Sequence, residues 1–165
     1  MLNKLFDKFD ALTADFGLEK IKTIGDSYMV AGGVFGNQVE YLSAMADLTF
    51  AMQKAAADIH DPDGNALHLR IGIHVGGLTA GVIGQRRFIY DLWGDTVNTA
   101  SRMQTLGEPD RIQVSDDVRR RLDARYDLSP RGEIEVKGKG QMATWYLLGR
   151  TDEDIDDSKI AGNVT

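Results

Sequence analysis

Cysteine is missing altogether from this chain of 165 residues. Its absence excludes disulfides, thiolate zinc sites and a cysteine nucleophile together. Basic residues are in the minority, 19 Lys and Arg against 25 Asp and Glu, for a formal charge of −6 and a pI near 5.0. A protein that grips nucleic acid by its phosphates needs a basic face, so no nucleic-acid partner is expected. No apolar run approaches the ~18 residues of a membrane span, and the first residues show no signal-peptide pattern. Proline is scarce at three, while glycine is plentiful at 18. That ratio points to tight turns and close backbone approaches. What is present, 42% hydrophobic and 27% charged residues, matches one globular domain with enough chain to bury a core.

The negative charge is concentrated at one end. Asp152, Glu153, Asp154, Asp156 and Asp157 stand against Lys159 alone, so four of the six net negative charges lie in the last fifteen residues. Residues 150–165 are read as an acidic, disordered tail, and residues 1–149 as the domain. The body is close to neutral.

Leu2, Leu5, Phe6, Phe9, Leu12 and Phe16 recur at steps of three and four, an amphipathic helix with Asn3 as a weak cap and Gly17 as its stop. Ile21 to Ile24, a Gly25–Asp26 turn and Tyr28 to Val30 read as a β-hairpin. Asp at such a tip has a plain explanation as a turn residue. A long helix is predicted from Gln38 to His60, with Leu42, Met45, Ala46, Leu48, Thr49 and Met52 as its buried stripe. After the breaker Asp61-Pro62-Asp63-Gly64-Asn65, alternation from Leu67 to Val75 predicts a strand. His68 and His74 would share a face of it, ~20 Å apart, too far to hold one metal.

LTAGVIG and FIYDLWG read as two further strands, and DTVNTASRMQTL as a helix that Asp95 or Thr96 could cap. RIQVS is a short strand, Ser115-Asp116-Asp117 opens a small helix, and GEIEVKG with ATWYLLG closes the sheet as a hairpin around GKGQ. The fold class is α+β in a single domain.

Several chemistries are excluded by motif. There is no G-x-S-x-G elbow, no HExxH helix, no Walker P-loop and no dinucleotide-binding G-x-G-x-x-G opening a helix. What remains is a set of polar residues in apolar surroundings: Lys22 and Asp91 interrupt strands, and Asn98 and Arg102 sit four apart on one helix face. A Lys donor and an Asp acceptor can read the edge of adenine, the Lys giving to ring N1 and the Asp taking from the 6-amino group. Arg offers a planar fork of donors to a charged phosphate. Asp26 is a hard oxygen of the kind magnesium prefers. On spacing alone, the plainer reading keeps Lys22–Asp91 as a structural ion pair and Arg102 as a surface cation.

KIKTIGDSYMVAGG, RIGIHVGGLTAGVIG, YDLWGDTVNTASRM and EVKGKG follow one another in this order. Together, from about Leu2 to Leu148, they resemble the catalytic domain of the class III nucleotidyl cyclases, the adenylyl and guanylyl cyclases, and most of all a bacterial adenylate cyclase. The resemblance implies a ferredoxin-like α+β sandwich that works as a head-to-tail homodimer with a second copy of the domain. It implies that Lys22 and Asp91 bind the purine, where guanylyl cyclases have Glu and Cys or Ser, so ATP is the expected substrate. It implies that Asn98 orients the ribose, that Arg102 stabilises the α-phosphate, and that Lys137 binds the triphosphate, with Lys139 a weaker candidate. Asp26 matches one of two aspartates that hold two Mg2+ or Mn2+ ions per complete site.

The resemblance is incomplete at the start. The family's first metal-binding aspartate lies on an opening strand of the type F-x-D-I-x-G-F-T, and nothing here matches it. The domain is therefore expected to lack its first strand and helix, roughly 30 residues, and to be inactive in this shortened form. Three functions stay open: an adenylate cyclase domain of cytoplasmic location within a parent whose membrane attachment is left open; a guanylate cyclase; and a regulatory cyclase-fold module without catalysis. An RNA-binding ferredoxin-like domain fails on charge and on the missing aromatic signature.

Overall fold

The computed structural model describes residues 1–34, 40–77, 79–83, 89–122 and 124–151. Four helices and eight strands follow in the order α1 (Leu2–Asp15), β1 (Glu19–Ile24), β2 (Ser27–Ala31), α2 (Tyr41–Ala57), β3 (Arg70–Ile73), β4 (Thr79–Ile83), β5 (Ile89–Trp93), α3 (Asp95–Thr105), β6 (Arg111–Ser115), α4 (Asp116–Arg121), β7 (Tyr126–Val136) and β8 (Gly140–Arg150). The α+β class is as expected.

The strands form three separate sheets. The largest has the order β3-β6-β8-β7, with β3 and β6 parallel and the other pairs antiparallel. β1–β2 and β4–β5 are two-stranded antiparallel hairpins. The expected hairpin around GKGQ is longer than its motifs suggested, since β7 and β8 each run for 11 residues.

Helix α2 explains how these pieces share a core. Its Ala46 packs with Ile73, Ile112, Val114 and Leu147 of the large sheet. Its Leu48, Met52 and Ala56 pack instead with Leu5 and Phe9 of α1. A helix apolar on two sides is buried between layers, as here. Of the stripe expected on α1, Leu5 and Phe9 are buried, whereas Leu2 is exposed. Tyr28 then ties the β1–β2 hairpin down, its hydroxyl donating to Asp10 Oδ1 at 2.6 Å while Lys20 reaches Asp10 Oδ2 at 3.0 Å.

Four local expectations are corrected. α2 begins at Tyr41 and ends at Ala57; Gln38 and Val39, where it was expected to start, lie outside the described residues. The strand expected over Leu67–Val75 is only Arg70–Ile73, because Leu67 N–H is taken by the Ile59 carbonyl and Leu69 by Asp110, which holds this stretch as a loop. α1 is capped by Met1 without a side-chain bond, so Asn3 is not its cap. α3 has Gly94 at its cap position, again with no side-chain bond, because the Thr96 hydroxyl donates to the Gly77 carbonyl instead. Two others hold. Gly17, at φ 68, ends α1 with its N–H on Ala14, and Ser115 caps α4 by accepting from Val118 N–H at 3.4 Å.

At the C-terminal end, Thr151 donates to the Arg125 carbonyl at 2.7 Å, just past the end of β8. The acidic residues of the expected tail, from Asp152 onward, lie outside the described residues.

Candidate functional site

Lys22 lies on β1 and Asp91 on β5, strands that belong to different sheets. The Lys22 ammonium donates to Asp91 Oδ2 at 2.7 Å, with the side chains 33% and 18% exposed. The other carboxylate oxygen accepts the Leu92 N–H at 2.8 Å. The Lys22 hydrogen bond holds the Asp91 carboxyl below the usual carboxylate range, with the Leu92 N–H adding to it against the opposing effect of burial. A cationic donor and a fixed carboxylate acceptor therefore stand side by side, partly shielded from water. Each is placed by its strand: β1 shifts register between Lys20 and Lys22, and Asp91 lies opposite Gly81 on β4.

Asn98 and Arg102 occupy one exposed face of α3. The helix is seated unusually close to the sheet. A Cβ on Gly72 of β3 would lie 2.2 Å from Gln104 N and 2.7 Å from the Ala100 carbonyl oxygen, both backbone atoms of α3. At the N-terminal end a Cβ on Gly76 would lie 2.6 Å from Thr96 Oγ1. Glycines at these two positions let α3 settle where a side chain would lift it. Beneath the helix, Met103 packs with Ile134 and Val136 of β7.

Lys137 is exposed in the turn between β7 and β8. Lys139, two residues on, is committed elsewhere: its ammonium lies 2.5 Å from Asp95 Oδ2 in the first turn of α3. Asp95 is thus an ion-pair partner and not the cap it was expected to be. The signal for this pair was present as an acid in a helix's first turn and a second lysine in a Gly-flanked turn. Nothing in the sequence joined the two.

Asp26 is exposed at the tip of the β1–β2 hairpin, beside Gly25 at φ 59. Among the described residues no group of three or more His, Asp or Glu is gathered that could hold a metal ion. One exposed carboxylate does not make a magnesium or manganese site, so the residues described do not by themselves fit the pair of ions that the resemblance implies. His68 and His74 each have a separate partner. His68 Nδ1 lies 2.5 Å from Asp110 and His74 Nδ1 lies 2.7 Å from Ser115 Oγ.

The structure therefore brings Lys22 and Asp91 into contact, sets Asn98 with Arg102 on one helix, and ties that helix to the turn carrying Lys137. Comparison with known proteins shows the family to which this fold belongs. The family model described as "Adenylate and Guanylate cyclase catalytic domain" matches residues 1–149. An adenylate cyclase of Mycobacterium tuberculosis is 50% identical over 149 residues, covering 90% of this chain and 34% of that protein. The human guanylate cyclase soluble subunit beta-2 is 41% identical over 163 residues, covering 94% of this chain and 26% of that one. The chain thus spans about a third or less of the length of these relatives. Among solved structures, the guanylate cyclase domain of RhGC from Catenaria anguillulae in complex with GTP superposes with a TM-score of 0.85 at 32% identity, covering 90% of this chain and 82% of that one. The catalytic core of a rhodopsin-guanylyl cyclase with converted specificity, in complex with ATPalphaS, gives 0.84 at 34% identity, covering 90% and 81%.

Proposed function

This chain belongs to the adenylate and guanylate cyclase catalytic-domain family, and from that premise we propose that it is an adenylate cyclase domain, forming 3′,5′-cyclic AMP and pyrophosphate from ATP. The observation that carries the choice of ATP is the Lys22–Asp91 pair. Adenine presents an acceptor at N1 beside a donor at its 6-amino group, and Lys22 and Asp91 offer the matching donor and acceptor. Guanine presents the opposite order along the same edge, a donor at N1 beside an acceptor at O6, and would set like against like at both positions. A buried polar group left without its partner costs ~1–3 kcal/mol, so two such mismatches are enough to reject GTP.

In the reaction, the ribose 3′-hydroxyl oxygen attacks the α-phosphorus. The bond from that phosphorus to the oxygen bridging to the β-phosphate breaks, and pyrophosphate leaves with the electron pair. The hydroxyl proton passes to solvent. Arg102 binds the negative charge that builds on the α-phosphate oxygens, where a planar cation is worth most. Asn98 orients the ribose so that the hydroxyl meets phosphorus in line. Lys137 holds the triphosphate and steadies the departing pyrophosphate. Asp26 belongs to the opposite half of the site in a head-to-tail homodimer, so one chain alone is inactive. With ATP as its proposed substrate, we propose a cytoplasmic location for the domain.

Incubating the domain within its parent protein with Mn-ATP and with Mn-GTP, and separating the products by chromatography, tests this. Cyclic AMP as the main product supports it. 3′,5′-Cyclic GMP in excess favours the guanylate cyclase reading, which the GTP complex of the Catenaria domain keeps in view. Activity that appears only on mixing with an intact cyclase domain favours a regulatory module, in keeping with the single carboxylate at Asp26.

A further inference from the structure

We propose that Asp95 and Lys139 form a positioning latch that holds the β7–β8 turn carrying Lys137 against the first turn of α3, the helix carrying Asn98 and Arg102. The roles of Lys137 and Arg102 in this inference rest on the function proposed above. Neither Asp95 nor Lys139 is assigned contact with substrate; both act through their neighbours.

The geometry builds the latch from three sides. Up to Val136, β7 is anchored, because Ile134 and Val136 pack with Met103 on the underside of α3. Beyond Val136 the chain turns sharply, with Lys139 N–H on the Val136 carbonyl at 2.9 Å and both Gly138 (φ 84) and Gly140 (φ 73) in left-handed conformations. A turn with two such glycines has little stiffness of its own. Lys137 sits within it, so the direction of that side chain depends on what fixes the turn. The ammonium of Lys139, 2.5 Å from Asp95, is the tie that reaches outward from it.

On the helix side, α3 has no side-chain cap, and its first turn is held from outside. Thr96 donates to the Gly77 carbonyl on one flank, and Asp95 meets Lys139 on the other. A carboxylate in the first turn is also favoured by the helix dipole. His74 lies within electrostatic reach of both partners of the pair; burial first, and then Lys139, pushes its pKa down. With Lys139 occupied, Lys137 is left as the lysine of the turn that is open to a triphosphate.

Lys139 and Asp95 are 31% and 69% exposed, and an ion pair this open contributes little to stability. Its loss should therefore register in phosphate binding and not in melting. The test is the affinity of the whole chain for inorganic tripolyphosphate, measured by calorimetry on wild type, Asp95→Asn, Lys139→Gln and the charge swap Asp95→Lys with Lys139→Asp. Asp95→Asn is the decisive variant, because its two readings differ in sign. Removing a negative charge beside a polyanion site tightens binding by simple electrostatics, whereas releasing a latch weakens it, here by ~2- to 5-fold. The swap should recover most of the loss, with thermal midpoints unchanged throughout. Unchanged or tighter binding in Asp95→Asn, or no recovery in the swap, overturns the latch.

Hydrogen exchange of the backbone amides in residues 95–98 and 137–140 separates this inference from the function it rests on. If wild type binds no tripolyphosphate, the triphosphate role of Lys137 fails. The latch still stands if both single variants speed exchange in both segments and the swap restores it. It falls if exchange is unaltered.

Discussion

Lys22 on β1 donates to Asp91 on β5 across a boundary that no strand pairing bridges, since the two strands belong to separate hairpin sheets. The pair is 69 residues apart in sequence and has only side chains to join it. A structural ion pair in that position would serve stability alone. The purine reading gives it a second use, because the same donor and acceptor remain partly open to a ligand.

Arg102 is exposed on α3. Replacing it by alanine should leave the thermal midpoint within the small range of ordinary surface changes, ~0.5 kcal/mol. Cyclic-nucleotide formation should fall by ~100-fold or more, as for other lost transition-state donors. The measurement, made on the domain within its parent protein, is initial rate at saturating ATP beside a melting curve. An Arg102→Ala enzyme that keeps its rate would remove Arg102 from the reaction.

Gly72 is the opposite case, a residue with no side chain set against the backbone of α3. A Cβ there would meet backbone atoms at 2.2 and 2.7 Å, and backbone cannot swing aside as a side-chain tip can. Gly72→Ala should destabilise the fold by ~1–3 kcal/mol, read from the urea midpoint. It should also displace Asn98 and Arg102, lowering turnover even where the variant remains folded.

His74 sets a pH window. Burial is the first cause of its lowered pKa, with Lys139 and Arg121 adding to it and Asp117 and Asp95 opposing. Between the depressed folded value and the ordinary value of 6.5, the unfolded chain binds the proton that the folded chain refuses. Stability is therefore full above about pH 6.5 and is lost as pH falls through the folded value. Urea midpoints measured from pH 7.5 down to pH 5 should decline in wild type and decline less in His74→Gln. Asp91 acts at lower pH, because its hydrogen bond from Lys22 holds its carboxyl below the usual carboxylate range.

The local elements were legible where one short stretch carries its own instructions. The hairpin over Glu19–Ala31 follows from alternation around a Gly-Asp turn, and α4 follows from Ser115 ahead of two aspartates. The longer predictions failed where a distant partner decides. Leu67 and Leu69 do pack on the α1–α2 cluster, so their alternation was real, but Ile59 and Asp110 take their backbone groups and the strand starts only at Arg70. Thr96 has the chemistry of a cap and spends it on Gly77. Of the site, the residue types of Lys22, Asp91, Asn98 and Arg102 were visible. The Lys22–Asp91 pair was expected too, as an ion pair and through the family resemblance, and the two residues do meet. The Asp95–Lys139 tie was not, because long-range pairing leaves no mark on local spacing.

The most direct measurement is the ratio of kcat/KM for ATP to that for GTP, made on the domain within its parent protein, as wild type and as the double variant Lys22→Glu with Asp91→Cys. Purine reading by this pair predicts that wild type favours ATP by ~10- to 100-fold or more and that the double variant shifts the ratio toward GTP. An ATP preference that survives both substitutions would contradict it.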